Sequence, residues 1–206
     1  SLASIVPPAE GELRDRLEFY GPLEDEALAD IMQRLPTGFE IRLLEKGLLE
    51  RYGGRRVEDS ESNGGMRFLQ QGLLERRTLR WGIEPFFGSP ENFLVNGLGF
   101  CLMRGEDIIT LAFAPFWGVD SVELAVMTSK AYRGKGYATI ACAFLVDACQ
   151  KRGCQTYWSC DADNAPSVAV ARHLGYPHEG NFQSVNYRAT SSVVSLFTLV
   201  PDTPHN

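Results

Sequence analysis

Ser121-Val122-Glu123-Leu124-Ala125-Val126-Met127-Thr128 is followed, after four residues, by Arg133-Gly134-Lys135-Gly136-Tyr137-Ala138. The first run is mostly apolar and β-branched, which predicts a strand. From Tyr137 onward the period changes to that of a helix. Tyr137, Ile140, Ala141, Phe144, Leu145 and Ala148 fall on one face, predicting a helix over 136–152 that Gly153 ends. Between strand and helix lies a basic loop with two glycines. Glycine lets a backbone turn tightly and approach a ligand. The free N–H groups and dipole at a helix start attract an anion, and Arg133 and Lys135 add positive charge. The stretch is therefore expected to bind phosphate.

Working outward, Leu98 to Met103 and Ile108 to Phe113 alternate as two strands, with Arg104-Gly105-Glu106-Asp107 as the hairpin turn. Downstream, Gln155 to Cys160 predicts a strand and Ala165 to Leu174 a short helix, with Pro166 in its first turn and Gly175 beyond its end. Residues 181–188 and 192–199 predict two last strands. Upstream, the spacing of Leu13, Leu17 and Tyr20 predicts one helix, and Leu23, Ala27, Leu28, Ile31 and Leu35 a second, together an N-terminal helical extension over residues 1–35. Phe39 to Leu44 reads as a strand, Glu45 to Tyr52 as a helix, and 53–66 as a loop. Met66 to Trp81 reads as a helix with Arg76, Arg77 and Arg80 on solvated surface, and 82–97 as an irregular connection. The expected main domain spans residues 36–200.

Composition bounds the function. The chain has 206 residues, 44% hydrophobic and 11% aromatic, enough for a globular core. A net charge of -6 argues against a general nucleic-acid binder. No apolar run reaches the length of a membrane span. Residues 1–8 lack the charged start and apolar core of a secretion signal. Five cysteines, Cys101, Cys142, Cys149, Cys154 and Cys160, form no C-x-x-C pair, so neither disulfides nor a zinc site is expected. These features give the expectation of a reduced, cytoplasmic protein without a metal.

Arg133 to Ala138 resembles the R/Q-x-x-G-x-G/A motif of the GCN5-related N-acetyltransferase (GNAT) superfamily, in the strand–helix context that motif has there. A second match follows in Asn164-Ala165-Pro166-Ser167 and Ala171-Arg172-His173-Leu174-Gly175-Tyr176, similar to that family's N-x-x-S/A and LGF/LGY segment. Tyr132 to Tyr176, with Trp158-Ser159-Cys160-Asp161, most resembles the subgroup that includes the zwittermicin A resistance acetyltransferase. The resemblance implies an α/β (α+β) fold with a mixed, mostly antiparallel sheet, split where coenzyme A enters and flanked by helices. It covers residues 98–188 firmly and extends to 39–97.

It also implies how acetyl-coenzyme A, the co-substrate, is held. Backbone groups of Val126, Met127 and Thr128 would pair with the pantetheine arm by strand addition. Asn164 and Ser167 would bound the arm from the other side. The amides of Arg133, Gly134, Lys135, Gly136, Tyr137 and Ala138 would take the pyrophosphate. A backbone N–H near Val126 could polarise the thioester carbonyl. Glu123 is the candidate catalytic residue, accepting the proton of the amine; the competing reading is a solvated or structural carboxylate. The glutamate common in relatives falls at Val122 here, one residue earlier and on the opposite strand face. Ala171 stands where many relatives have the tyrosine that protonates the thiolate. Tyr187, Tyr157 or water could replace it. His173 lies two positions on, on another helix face. Cys142, Cys149 and Cys154 read as packing. Phe113, Phe116 and Trp117 read as acceptor-pocket lining or core. The implied activity is N-acetyl transfer to an amine of a small molecule, as monomer or homodimer and with no nucleic-acid or membrane partner. A non-catalytic acyl-coenzyme A sensor, a peptide N-terminal transferase and a larger acyl donor stay open.

Overall fold

The computed structural model of the chain describes residues 11–52, 83, 86–188 and 193–196. Its strands are β1 (Gly11–Tyr20), β2 (Glu40–Leu43), β3 (Gly99–Arg104), β4 (Asp107–Trp117), β5 (Ser121–Thr128), β6 (Gln155–Asp161), β7 (His178–Arg188) and β8 (Val193–Leu196). They form one eight-stranded sheet in the order β2-β3-β4-β5-β6-β1-β7-β8. Among the described residues the one parallel pairing is β5 with β6; the other six are antiparallel. The helices are α1 (Asp25–Gln33), α2 (Lys46–Tyr52), α3 (Pro90–Asn96), α4 (Tyr137–Gln150) and α5 (Ala165–Leu174). No helix among the described residues is long and apolar enough to cross a membrane.

Each face of the sheet carries its own core. On one face Ile140, Ala141, Leu145 and Val146 of α4 pack with Leu102, Ala112, Val122 and Leu124 of the sheet and with Leu28 and Ile31 of α1. On the other, Leu48 and Leu49 of α2 and Phe93 of α3 pack with Cys101, Leu111 and Phe113. The split between the two sets is the alternation of strand side chains.

Two expectations need correction. The first is the N-terminal helix. Residues 11–20 are β1, paired antiparallel to β6 on one side and β7 on the other. Positions 13 and 17 share a face in a helix and in a strand alike, so that spacing does not discriminate. The ladder does: Leu17 lies opposite Cys160 on one side and Asn181 on the other. Only the second half of the expected helical extension, α1, is helical, and β1 lies inside the sheet. The second is 82–97, where α3 replaces part of the irregular connection. Its signal is Ser89-Pro90: the Ser89 hydroxyl accepts the Asn92 N–H at 3.2 Å, and Pro90 sits in the first turn. The loop expected over 53–66 and the helix expected over 66–81, with Arg76, Arg77 and Arg80, lie outside the described residues, as does the Tyr187 side chain. The remaining expected elements lie within a few residues of their observed bounds, with β4 running on through Phe116 and Trp117.

Candidate active site

The sheet opens beside β5. Parallel pairing runs through Ser121↔Gln155, Val122↔Thr156 and Glu123↔Tyr157 and then stops. From Trp158 on, β6 keeps its antiparallel pairing with β1, while β5 continues with β4 through Thr110↔Thr128. The two strands thus diverge from Leu124 onward. The Ser129 N–H bonds the Ile109 carbonyl at 2.9 Å. In an antiparallel ladder alternate residues bond the same neighbour, so Met127 and Ala125 also turn their N–H and C=O toward β4. Val126 and Thr128 turn theirs into the gap. This narrows the expected set: Val126 and Thr128 can receive an added strand, and the Met127 backbone belongs to β4. Thr128 already spends its carbonyl on Arg133, whose Nε donates at 3.0 Å.

The basic loop follows at the same end of β5. Lys130–Tyr132 form one 3-10 turn, and α4 begins at Tyr137. Gly134 and Gly136 have φ of 72° and 80°, a left-handed backbone that only glycine adopts without strain. A Cβ on either would meet no heavy atom within 4 Å, so the loop is lined by open space. The helical ladder starts with the Ile140 N–H to the Gly136 carbonyl at 3.1 Å. The N–H groups of the first turn precede that ladder and point out of the helix. Lys135 lies over the Tyr132 ring at 5.3 Å, and Tyr137 packs tilted against Phe39 at 5.0 Å. A positive helix end, a basic rim and a glycine backbone suit a diphosphate.

Glu123 stands where the split begins. Val122 points into the α4 core and is fully buried. Glu123 points to the opposite face and is 8% exposed. A bulge in β4 between Phe113 and Phe116 sets Phe116 opposite Glu123. The Tyr157 hydroxyl donates to Glu123 Oε2 at 3.2 Å, and the Ser159 hydroxyl to Oε1 at 2.5 Å. Arg16 donates to Ser159 Oγ at 2.8 Å and to Asp161 Oδ1 at 2.9 Å, and Arg14 to Asp161 Oδ2 at 2.8 Å. Burial, then the Glu123 charge and hydrogen bond, push the Tyr157 phenol well above its ordinary range. An aromatic group flanks this network: Phe86 packs at 5.5 Å against both Phe113 and Phe116. Phe113 is core, while Phe116 and Trp117 are partly exposed beside Glu123 and its neighbour.

Other expected residues have structural partners. Asn164 caps α5, its Oδ1 accepting the Ser167 N–H at 3.3 Å. Ser167 Oγ accepts the Trp158 indole N–H at 3.0 Å. Ala171 is fully buried, and His173 is exposed on the other side of α5. Cys142, Cys149 and Cys160 lie in the core. Burial pushes the Cys149 thiol up to about 12 and that of Cys101, on the other face, to the same value. Such thiols stay protonated and pack as small apolar groups.

Ser159, Asp161, Arg14 and Arg16 are the site residues that the sequence reading left out. Tyr157, Ser159 and Asp161 alternate with the buried Thr156, Trp158 and Cys160, which is a visible signal. Arg14 and Arg16 share one strand face, but only once residues 11–20 are taken as a strand.

Comparison with known proteins agrees with this architecture. A family model described as GNAT acetyltransferase matches residues 12–185. The uncharacterized N-acetyltransferase YdfB of Bacillus subtilis (strain 168) is 29% identical over 93 residues, 45% of this chain and 36% of that protein. A GCN5-related N-acetyltransferase-like protein from Streptococcus suis 89/1591 superposes with a TM-score of 0.60 at 22% identity, covering 85% of this chain and 63% of that one. An acetyltransferase from the GNAT family from Colwellia psychrerythraea gives 0.52 at 10% identity, covering 86% and 56%. These two likenesses show the fold. The chain spans about a third of the YdfB length and less than two thirds of either solved chain. With the family model running from β1 to β7, the chain belongs to the GNAT acetyltransferase family.

Proposed function

We propose that the protein is an acetyl-coenzyme A-dependent N-acetyltransferase acting on an amine of a small molecule, akin to the zwittermicin A resistance acetyltransferase subgroup. The observation that carries this is the divergence of β5 from β6 at Glu123↔Tyr157, with the Gly134–Gly136 loop at the far end of the gap. One slot then offers strand-pairing groups at Val126, an anion site at the start of α4 and a carboxylate at its inner end. The chain's residues fit the coenzyme: two left-handed glycines facing open space leave room for a diphosphate against the backbone.

The coenzyme supplies an acyl thioester. Val126, with its N–H in the gap, would donate to the carbonyl oxygen and stabilise charge developing there. Glu123 would accept the proton that the amine loses on attack, directly or through water. Its two bound hydroxyls hold the carboxylate in one orientation. A free thiol titrates near pH 8.5, so the leaving group needs little acid assistance at neutral pH. Phe116 and Phe86, beside Glu123, would contact the body of the acceptor.

A second reading is a coenzyme-binding sensor without turnover. It is favoured by Ala171, which is buried and brings no hydroxyl to the gap. Thiol release from acetyl-coenzyme A with a panel of primary amines separates the two. Turnover of any amine, lost in Glu123→Gln, supports the transferase. Tight coenzyme binding with no release across the panel supports the sensor.

A further inference from the structure

We infer that Arg16 is a positioning residue for Glu123, acting through Ser159; the inference rests on Glu123 being the base. The reason lies in the sheet order. β1 enters between β6 and β7, and its register sets Arg16 opposite Asp161 and Glu18 opposite Ser159. Arg16 is 6% exposed and reaches along β6 with both terminal nitrogens, Nη1 to Asp161 Oδ1 and Nη2 to Ser159 Oγ. The Phe182 ring covers one face of the guanidinium, 5.8 Å from its Cζ.

The chemistry fixes the direction of the chain. A guanidinium only donates, and a serine hydroxyl has one proton. With Arg16 donating to one of its two lone pairs, Ser159 turns that proton away from the guanidinium and toward Glu123 Oε1, the shortest contact of the network at 2.5 Å. Tyr157 holds the other oxygen. Without Arg16 the Ser159 hydroxyl can rotate, and Glu123 loses the donor that fixes Oε1 at the inner end of the gap. A planar fork serves two acceptors two residues apart on one strand; an ammonium reaches both less well.

The test compares Ser159→Ala, Arg16→Gln, Arg16→Lys and Glu123→Gln, using the amine turned over fastest in the panel above. Ser159→Ala and Arg16→Gln are expected to lower kcat about tenfold, a fraction of what a positioned base contributes, with KM for acetyl-coenzyme A unchanged. Arg16→Lys should recover part of the loss. In the Glu123→Gln background neither change should matter further. Ser159→Ala keeps both arginine–Asp161 pairs and so the fold. Its crystal structure should show Glu123 leaving its present rotamer, and an unmoved Glu123 with wild-type kcat would overturn the inference. An inactive Glu123→Gln beside a fully active Ser159→Ala sinks the positioning role alone. A fully active Glu123→Gln sinks the base and the positioning role together.

Discussion

Replacing Gly136 by glutamate tests the loop most directly. The backbone there has φ 80° and ψ -1°. A left-handed conformation costs an L residue about 1–2 kcal/mol. The new Cβ meets no atom within 4 Å, so no steric cost is added in the free protein. The carboxylate also sits at the start of α4, where the dipole returns about 0.3–1 kcal/mol. The net loss of stability is therefore about 1 kcal/mol, a fall in Tm of about 2–4 °C for a chain of this size. Binding should suffer far more. A charge about 5 Å from a phosphate repels it by about 3 kcal/mol at an effective dielectric constant of about 20. That is about a hundredfold in Kd from one phosphate, before any displacement by bulk. Gly153→Ala provides the control. Gly153 has φ 77° and equally open surroundings, but it follows the opposite end of α4, about 20 Å away at 1.5 Å per residue. It should lose similar stability and keep full affinity. Thermal melts and calorimetric titration with acetyl-coenzyme A give both quantities. A folded Gly136→Glu protein with wild-type Kd would refute the loop assignment.

Three further outcomes follow from the same geometry. Glu123→Gln should lower kcat by about 10²- to 10⁴-fold with acetyl-coenzyme A affinity intact, read by thiol release and by titration; undiminished turnover removes Glu123 as base. Tyr157 should make stability fall at alkaline pH. An unfolded tyrosine loses its proton near pH 10, whereas the folded phenol, raised by burial and then by Glu123, keeps it, so the folded state binds the extra proton and stability declines as pH rises past about 10. In Tyr157→Phe that decline should be shallower in denaturant midpoints taken across the range, and identical slopes would contradict the network. Phe93→Ala should cost about 3–5 kcal/mol in chemical denaturation, since Phe93 is 1% exposed and packs edge-on to Phe87 at 5.0 Å; a loss below about 1 kcal/mol would mean that α3 is not part of the second core.

The region from Leu98 to Leu174 was legible in the sequence because two periods and several glycines act together there. Val122, Leu124 and Val126 alternate into a core, while Gly136 and Gly175 mark a helix start and a helix end through positive φ. The glycine loop and the strand before it follow from such local signals, and these are the groups proposed to hold the donor. The acceptor side does not. Arg16 and Ser159 are 143 residues apart, and no local pattern records their meeting. Glu123 is a related case. Its face could be read from alternation, but its two hydroxyl partners come from β6, and the third member of the chain from β1. The β1 assignment failed for a physical reason: leucines four apart satisfy both periods, and the choice was made by the open edges of β6 and β7. Met127 shows the same limit at smaller scale, because which backbone groups face the gap depends on the pairing with β4.

The placement of β1 also has a consequence for how the protein is made. Its partners on one side run from Gly11↔Tyr187 to Tyr20↔His178 and on the other from Arg16↔Asp161 to Phe19↔Trp158, so the first described strand waits for β6 and then for β7. Contacts of such long sequence separation close slowly, because loop entropy is lost before pairing compensates it. During synthesis β5, α4 and the glycine loop can assemble while β1 is still an unpaired strand, exposed to association with other chains. A nascent form with the glycine loop in place would therefore precede one with an ordered carboxylate. The slow step of maturation would be the docking of residues 11–20, visible as a late kinetic phase in refolding.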